Sequence, residues 1–363
     1  MARYRSMRDF DWPLLVLMLV LCAVGVLQIY SATHDTGWRD AWWKQLIAVG
    51  LGVVLFWVIS SVDYHTLLGQ VPLMYGISVF TLIVVLVAGK TVFGGRRWIP
   101  LFGGFHLQIS EFVKIVLVLL VARYLIELKS ERPEWRDVLK LGGLVGIPFF
   151  LVLRQPDLGT ALTFLPALAA GLFLAGMRWQ HALAIMLAAV LVLPVGYYFL
   201  KDYQKARLVS FMDPSSDPKG SGYQVIQSKI AIGSGGLWGM GVTRGLQTQL
   251  RFLPVPHTDF IFSAFAEEHG FVGVIVVLGL YFLLLMQMIQ NAQMAPDRAG
   301  MYICMGVAAV FLFHVLVNVG MVVGRMPVAG IPLPLMTSGG SNVLSTFMML
   351  GLVNNVRLRR FVI

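Results

Sequence analysis

Charge is scarce in this chain. Asp, Glu, Lys and Arg make up 13% of its 363 residues, about half the share found in soluble globular domains. Hydrophobic residues reach 58% and mean hydropathy is +0.77, which excludes a soluble enzyme and indicates an integral membrane protein. Cysteine is almost absent. Cys22 and Cys304 both fall inside apolar runs, as packing residues and not as a disulfide pair. The seven histidines form no HExxH word and no Cys/His cluster with zinc spacing, so no structural metal site is expected. No Gly-Lys-Ser/Thr follows a glycine-rich stretch, which excludes a P-loop. No soluble domain can be cut from the chain, and no nucleic-acid partner is expected.

What is abundant is apolar sequence. Runs long enough to span a bilayer lie at about 13–32, 43–61, 71–89, 109–126, 139–155, 160–177, 180–200, 260–287, 301–324 and 340–356, so an all-α domain of about ten transmembrane helices over 1–363 is expected. The pair 139–155 and 160–177 also reads as one broken hairpin, because Arg154, Pro156 and Asp157 separate them. The first run lacks a small-residue cleavage site after it, which favours an uncleaved first span over a signal peptide. Ten spans put both termini on one face. That face carries Arg3, Arg5, Arg8, Arg357, Arg359 and Arg360, and the 127–138 loop with Lys129, Arg132 and Arg136, so it is expected to be cytoplasmic.

The opposite face is basic too. It holds Lys90, Arg96 and Arg97, and the long loop 201–258 adds Lys201, Lys205, Arg207, Lys219, Lys229, Arg244 and Arg251. These residues fit either lipid headgroups or an anionic, phosphate-bearing substrate. Within the loop, YQVIQSKIAIG suits a short amphipathic helix on the membrane surface. GSGGLWGMGVTRG follows, with six glycines in thirteen residues. It reads as a flexible turn or as a backbone cradle for phosphate or sugar.

Four segments place polar residues where a span should be apolar. In 94–114, Gln108, Ser110, Glu111 and Lys114 open the fourth helix. Glu111 and Lys114 are three apart and share a face, as a buried ion pair or as direct participants in chemistry. In LRQPDLGTAL, Asp157 matches an N-cap of the sixth helix, with a substrate role as the alternative. In RFLPVPHTDFIFSAFAEEHG, Asp259 sits at the mouth of an apolar helix, where a carboxylate is costly and a functional site is the default expectation. It too can be read as a cap. Glu267 and Glu268 lie about 12 Å or more further along a helix, too far to form a glycosidase-type carboxylate pair with it. Finally, Pro327, Pro332, Pro334, Gly330, Gly339 and Gly340 break any helix in 318–345 and argue for a cavity wall.

These words resemble the SEDS family (shape, elongation, division and sporulation), specifically its RodA branch. The specific stretches are GSGYQ at 220–224, AIGSGG at 231–236, TQLRFLP at 248–254, HTDFIF at 257–262 and GIPLPL at 330–335, and the likeness covers the whole chain. The chain departs from the family at Ile109 in QISE, at Thr337 and Ser338 in LMTSGGS, and at His314, where Gln is frequent.

The resemblance implies a peptidoglycan glycosyltransferase of the bacterial cytoplasmic membrane. It would polymerise lipid II at the outer face during elongation, with a class B penicillin-binding protein and other elongation-complex proteins as partners. Asp259 takes the place of the essential aspartate, as general base. The expected substrate contacts are Arg97, Lys205, Arg207, Gln108, Lys229, Thr258 and Ser338. Glu111, Lys114 and Asp157 are expected to support the site. A divalent cation (Mg2+ or Mn2+) is open, with no residue assigned to it. Two other classes remain: a lipid II flippase, which needs polar paths to both faces, and a non-catalytic scaffold, which gives no reason for Asp259 and the basic loop to converge.

Overall fold

In lipid an apolar run must pair its own backbone N–H and C=O groups, so it becomes a helix. The computed structural model describes residues 9–92, 95–100, 106–128, 130–199, 202–218 and 220–360. Arg3, Arg5, Arg8, Lys129, Lys201 and Lys219 lie outside the described residues. Helices occupy each of the apolar runs: α1 (Trp12–Thr33), α2 (Ala41–Ser61), α3 (Tyr64–Ala88), α4 (Ile109–Ile126), α5 (Trp135–Arg154), α6 (Leu158–Leu162), α7 (Leu165–Leu174), α8 (Trp179–Phe199), α12 (Ile261–Gln293), α13 (Arg298–Val322) and α14 (Gly340–Leu358). Five of them, α1, α2, α3, α12 and α13, are long and apolar enough by themselves to cross a membrane. Aspartates open several: Asp11, Asp63, Asp157 and Asp297 each accept a bond from a first-turn amide of α1, α3, α6 and α13, using up orphan donors.

The bundle has an apolar outer surface and an apolar core in which polar side chains are also buried. Phe80, Val87 and Leu191 are exposed, whereas Gln28, Asn318 and Asn354 are fully buried. That is the distribution a lipid-facing surface requires. Small residues let helices approach closely. A Cβ on Gly52 of α2 would strike the Phe347 ring of α14, and one on Gly351 of α14 would meet the Phe56 backbone of α2. At one end Asp11 accepts from Gln287 Nε2 at 2.7 Å and Asn291 Nδ2 at 2.5 Å and pairs with Arg357 at 3.4 Å. Asp9 pairs with Arg360 at 3.3 Å. The two described ends of the chain therefore meet at the same end of the bundle.

At the opposite end the structure departs from the sequence reading before α4 and within the run 160–177. Three short strands, β1 (Lys90–Val92), β2 (Gly95–Pro100) and β3 (His106–Gln108), pair as a small antiparallel sheet where the all-α reading had no strand. The run 160–177 is interrupted at Thr163–Phe164, between α6 and α7. The long loop is largely helical, with α9 (Asp202–Met212), α10 (Ser221–Ser234) and α11 (Leu246–Gln249).

Helix α10 is the short helix expected at YQVIQSKIAIG, and one face of it docks on the bundle. Its buried stripe is Gly222, Val225, Ser228 and Ala231, and Ser228 Oγ lies 2.7 Å from both Ser263 Oγ and the Val322 carbonyl. Small side chains on α10 permit that approach, while Ile226 and Ile230 face outward.

The glycine-rich stretch is neither a free turn nor a phosphate cradle. Its Met240 and Gly241 amides donate to the Glu267 and Glu268 carbonyls, and Phe271 and Val272 amides donate back to Gly236 and Leu237. The Glu267 carboxylate accepts from the Gln247 and Thr248 amides and the Thr248 hydroxyl. Helix α12 breaks at Gly270, whose φ of 65° is left-handed. A Cβ there would strike the Gly239 amide and the Leu237 carbonyl.

Gly270→Ala should therefore lower the thermal unfolding temperature clearly, since both φ and space exclude a methyl group. Gly279→Ala, further along the same helix with open space around it, should be neutral or stabilising by up to about 1 kcal/mol. Equal melting temperatures for the two variants would contradict the pinned loop.

Candidate active site

Four chain segments meet around Asp259. It ends a tight turn in which the Thr258 amide donates to the Val255 carbonyl at 3.1 Å. Val255 has φ of 43°, an unfavourable conformation for a β-branched residue and a sign of strain beside the site. Helix α12 begins after it, with Phe260 at the N-cap and no side-chain cap bond. The capping alternative for Asp259 is thus not the one the structure adopts. Its backbone is held from behind, where Asn318 Nδ2 of α13 donates to the Asp259 carbonyl at 3.1 Å and to the Ile331 carbonyl at 2.9 Å.

The irregular segment 323–339 forms one wall. Gly330, φ 65°, lies flat against the carboxylate, and a Cβ there would sit 3.6 Å from Asp259 Oδ2. Gly159, at the start of α6, abuts the Ala329 carbonyl so closely that a Cβ would overlap it. That contact brings Asp157 to the same place. Thr258 and Ser338 knit the two loops together. Thr337 Oγ1 donates to the Thr258 carbonyl at 3.5 Å, and the Ser338 amide donates to the His257 carbonyl at 3.0 Å. Their role in the structure is to shape the wall.

Asp157 divides its two oxygens between two tasks. Oδ1 caps α6 through the Thr160 amide at 3.2 Å. Oδ2 accepts from Gln108 Nε2 at 2.8 Å and Thr160 Oγ1 at 2.9 Å, and pairs with Arg97 at 3.1 Å. The cap reading holds, and the same carboxylate fixes Arg97 of β2. Gln108 is fixed at its amide by Ser341 Oγ at 2.9 Å.

Asp259 is half-buried. Burial pushes its carboxyl above the ordinary range. The Arg207 guanidinium and then that of Arg97 pull it back, and Asp157 adds a smaller push upward. Arg207, carried by α9, and Arg97 are therefore close enough to act on charge at Asp259. Lys205, on the same short helix, lies over the Tyr197 ring at 5.5 Å. Lys229 is exposed, with its side chain alongside Gly324 at the end of α13.

Glu111 and Lys114 are not in this group. They form a 2.8 Å pair with 4% and 1% side-chain exposure, deeper in the bundle. Glu111 accepts from Ser345 Oγ at 3.1 Å. The sequence analysis missed Asn318, Ser345 and the position of Gly330 as parts of this region. Only their polarity or flexibility inside an apolar run could have signalled them. Among the described residues no group of three or more His, Cys, Asp or Glu side chains is arranged to hold a metal ion.

Comparison with known proteins gives a consistent result. Residues 12–360 match the FtsW/RodA/SpoVE family of cell cycle proteins. Peptidoglycan glycosyltransferase RodA of Treponema pallidum is 34% identical, over 99% of this chain and all of that one. Peptidoglycan glycosyltransferase MrdB of Escherichia coli K12 is 37% identical, over 96% of this chain and 94% of that one. Among solved structures, a chain from a peptidoglycan synthase complex that coordinates polymerization and crosslinking is 35% identical. It superposes with a TM-score of 0.84 and covers 98% of this chain and 99% of its own. The rod shape determining protein RodA of Thermus thermophilus is 30% identical with a TM-score of 0.72, over 97% of this chain and 98% of that one.

The buried pair gives a test by thermal unfolding. Glu111→Gln and Lys114→Met should each cost about 3–5 kcal/mol, because each strands one charge in the interior. The double variant should recover part of the loss. Additive losses would show that the two side chains do not act as a pair.

Proposed function

The chain belongs to the FtsW/RodA/SpoVE family, and from that membership and the site around Asp259 we propose that it is a peptidoglycan glycosyltransferase of cell elongation. It polymerises lipid II at the outer face of the cytoplasmic membrane. The observation that carries this reading is a half-buried carboxylate within electrostatic reach of two arginines, in a cleft walled by irregular backbone. Building that arrangement in a membrane domain is expensive, and the reaction gives it a use.

The chemistry runs through this chain's own groups. The acceptor sugar 4-hydroxyl attacks the anomeric carbon of the lipid-linked donor. Asp259 takes the hydroxyl proton as the new C–O bond forms. The bond from that carbon to the diphosphate breaks, and the leaving diphosphate needs cations rather than an acid. Arg97 and Arg207 supply them, with Lys205 and Lys229 along the same basic face. A single displacement from an α-linked donor inverts it to a β linkage. Asp157 and Gln108 serve by fixing Arg97. Asp157 Oδ2 already has three partners, so it is a poor ligand for a resident cation. Any Mg2+ or Mn2+ belongs with the diphosphate substrate.

The similarity to a chain of a peptidoglycan synthase complex supports a class B penicillin-binding protein as partner. The basic ends of the chain support an orientation with the termini cytoplasmic and the Asp259 end outward. A probe on Ser215→Cys, which is exposed at the Asp259 end, should then be labelled from outside intact cells, and one near Arg360 should not. The reverse pattern would rule out an outward site.

The decisive variant is Asp259→Asn. It keeps shape but cannot take a proton, so polymer formation from lipid II by the protein with its transpeptidase should drop about 10²–10⁴-fold. Because burial raises the carboxyl, its ionised form costs stability at neutral pH. The raised value favours the fold below the ordinary carboxylate range, and that contribution is gone once pH has risen through the folded value. Asp259→Asn should therefore melt at or above the wild-type temperature near pH 7. By the same sign, wild-type activity should fall on acidification at a pH above the ordinary Asp value of about 3.9. Near wild-type polymerisation by Asp259→Asn would sink the mechanism.

A further inference from the structure

His314 lies on α13 inside the bundle, 2% exposed, with a partner at each ring nitrogen. Nδ1 is 2.9 Å from the Pro332 carbonyl. Nε2 is 3.3 Å from Lys114 Nζ. A carbonyl only accepts and an ammonium only donates. Both bonds form together in one state alone, the neutral imidazole with its proton on Nδ1. Protonating Nε2 would set a second cation against Lys114. Tautomer, Lys114 and Glu111 thus fix one another, and Ser345 holds the far end of the series.

The near end is the wall of the active site. One turn beyond His314, Asn318 grips the Ile331 carbonyl and the carbonyl of Asp259 itself. Two successive carbonyls, Ile331 and Pro332, are therefore clamped by one face of α13. Gly330, the next residue back, faces the Asp259 carboxylate, whose Oδ2 would lie 3.6 Å from a Cβ at that position. A shift at Pro332 must move Gly330 or break the bond at Ile331.

We propose that His314 is a positioning residue for Asp259. As the neutral Nδ1–H tautomer it couples the buried Glu111–Lys114 pair to the Pro332 carbonyl, and so holds the 330–332 segment against the reacting carboxylate. The proposal rests on Asp259 being the base of the reaction above. It gives the Glu111–Lys114 pair a function at a distance, which neither of its two sequence readings contained.

Two substitutions separate positioning from plain packing. His314→Gln offers one donor and one acceptor side by side and can serve both partners. His314→Leu fills the space and serves neither. Two readouts are taken: lipid II polymerisation by the protein with its transpeptidase, resolved into kcat and KM, and hydrogen exchange of the backbone amides in 327–337.

His314→Leu should lose about 10²-fold in kcat, the scale of a misplaced reacting group, with KM little changed and with faster exchange in 327–337. His314→Gln should stay near wild type in both. If His314→Leu does not fold, His314→Asn, too short to span both partners, takes its place. The proposal is overturned if the leucine variant keeps wild-type kcat, if its kcat falls without any change in exchange, or if the glutamine variant falls as far. Should the wild type itself make no polymer, the glycosyltransferase reading fails, and the exchange measurement still decides whether His314 holds the segment.

Discussion

Non-helical backbone among packed membrane helices must have its polar groups answered by side chains, other backbone or water. The segment 327–339 makes that demand of three helices at once. Gln45 of α2 reaches the Thr337 carbonyl and the Gly339 amide. Tyr281 of α12 donates to the Pro334 carbonyl at 2.5 Å. His314 and Asn318 of α13 take Pro332 and Ile331. Four buried side chains, Gln45, Tyr281, His314 and Asn318, thus meet this one irregular stretch. In return the stretch supplies what a helix cannot, a flat glycine face beside a carboxylate.

The electrostatics divide along the same line. The deep charges of Glu111 and Lys114 are paired and buried. Charges at the cleft, Arg97, Arg207 and Asp157, act on Asp259 through space. Asp157 neutralises part of Arg97 and orients the rest. A guanidinium held by one carboxylate while facing another is pre-organised, so little rearrangement is needed when an anionic group arrives.

Local pattern made much of this legible. The apolar runs marked the helices, and Asp157 before Gly-Thr read correctly as a cap. Asp259 stood out because a carboxylate at a helix mouth in lipid needs a reason. The likeness in HTDFIF and GIPLPL pointed to the right family. What stayed hidden depends on partners far away in sequence. Lys114 and His314 are separated by 200 positions, and Gln108 and Ser341 by 233. No window of residues reveals such a pairing. The glycine-rich stretch misled for a related reason. Its flexibility suggested a ligand cradle, yet its amides are spent on the Glu267 and Glu268 carbonyls. The small sheet of β1, β2 and β3 escaped because its strands are only three to six residues long, too short for a period to read.

The clasp at the far end of the bundle bears on assembly. Asp9 and Asp11 precede the first helix, and their partners Arg357 and Arg360 close the last. Helix α1 is made before α12 and α14, so Asp11 waits for both before its bonds are complete. The described chain is thus a ring in connectivity, closed where α14 meets the start of α1. Joining the two ends and opening the chain at another surface loop should leave the bundle geometrically intact.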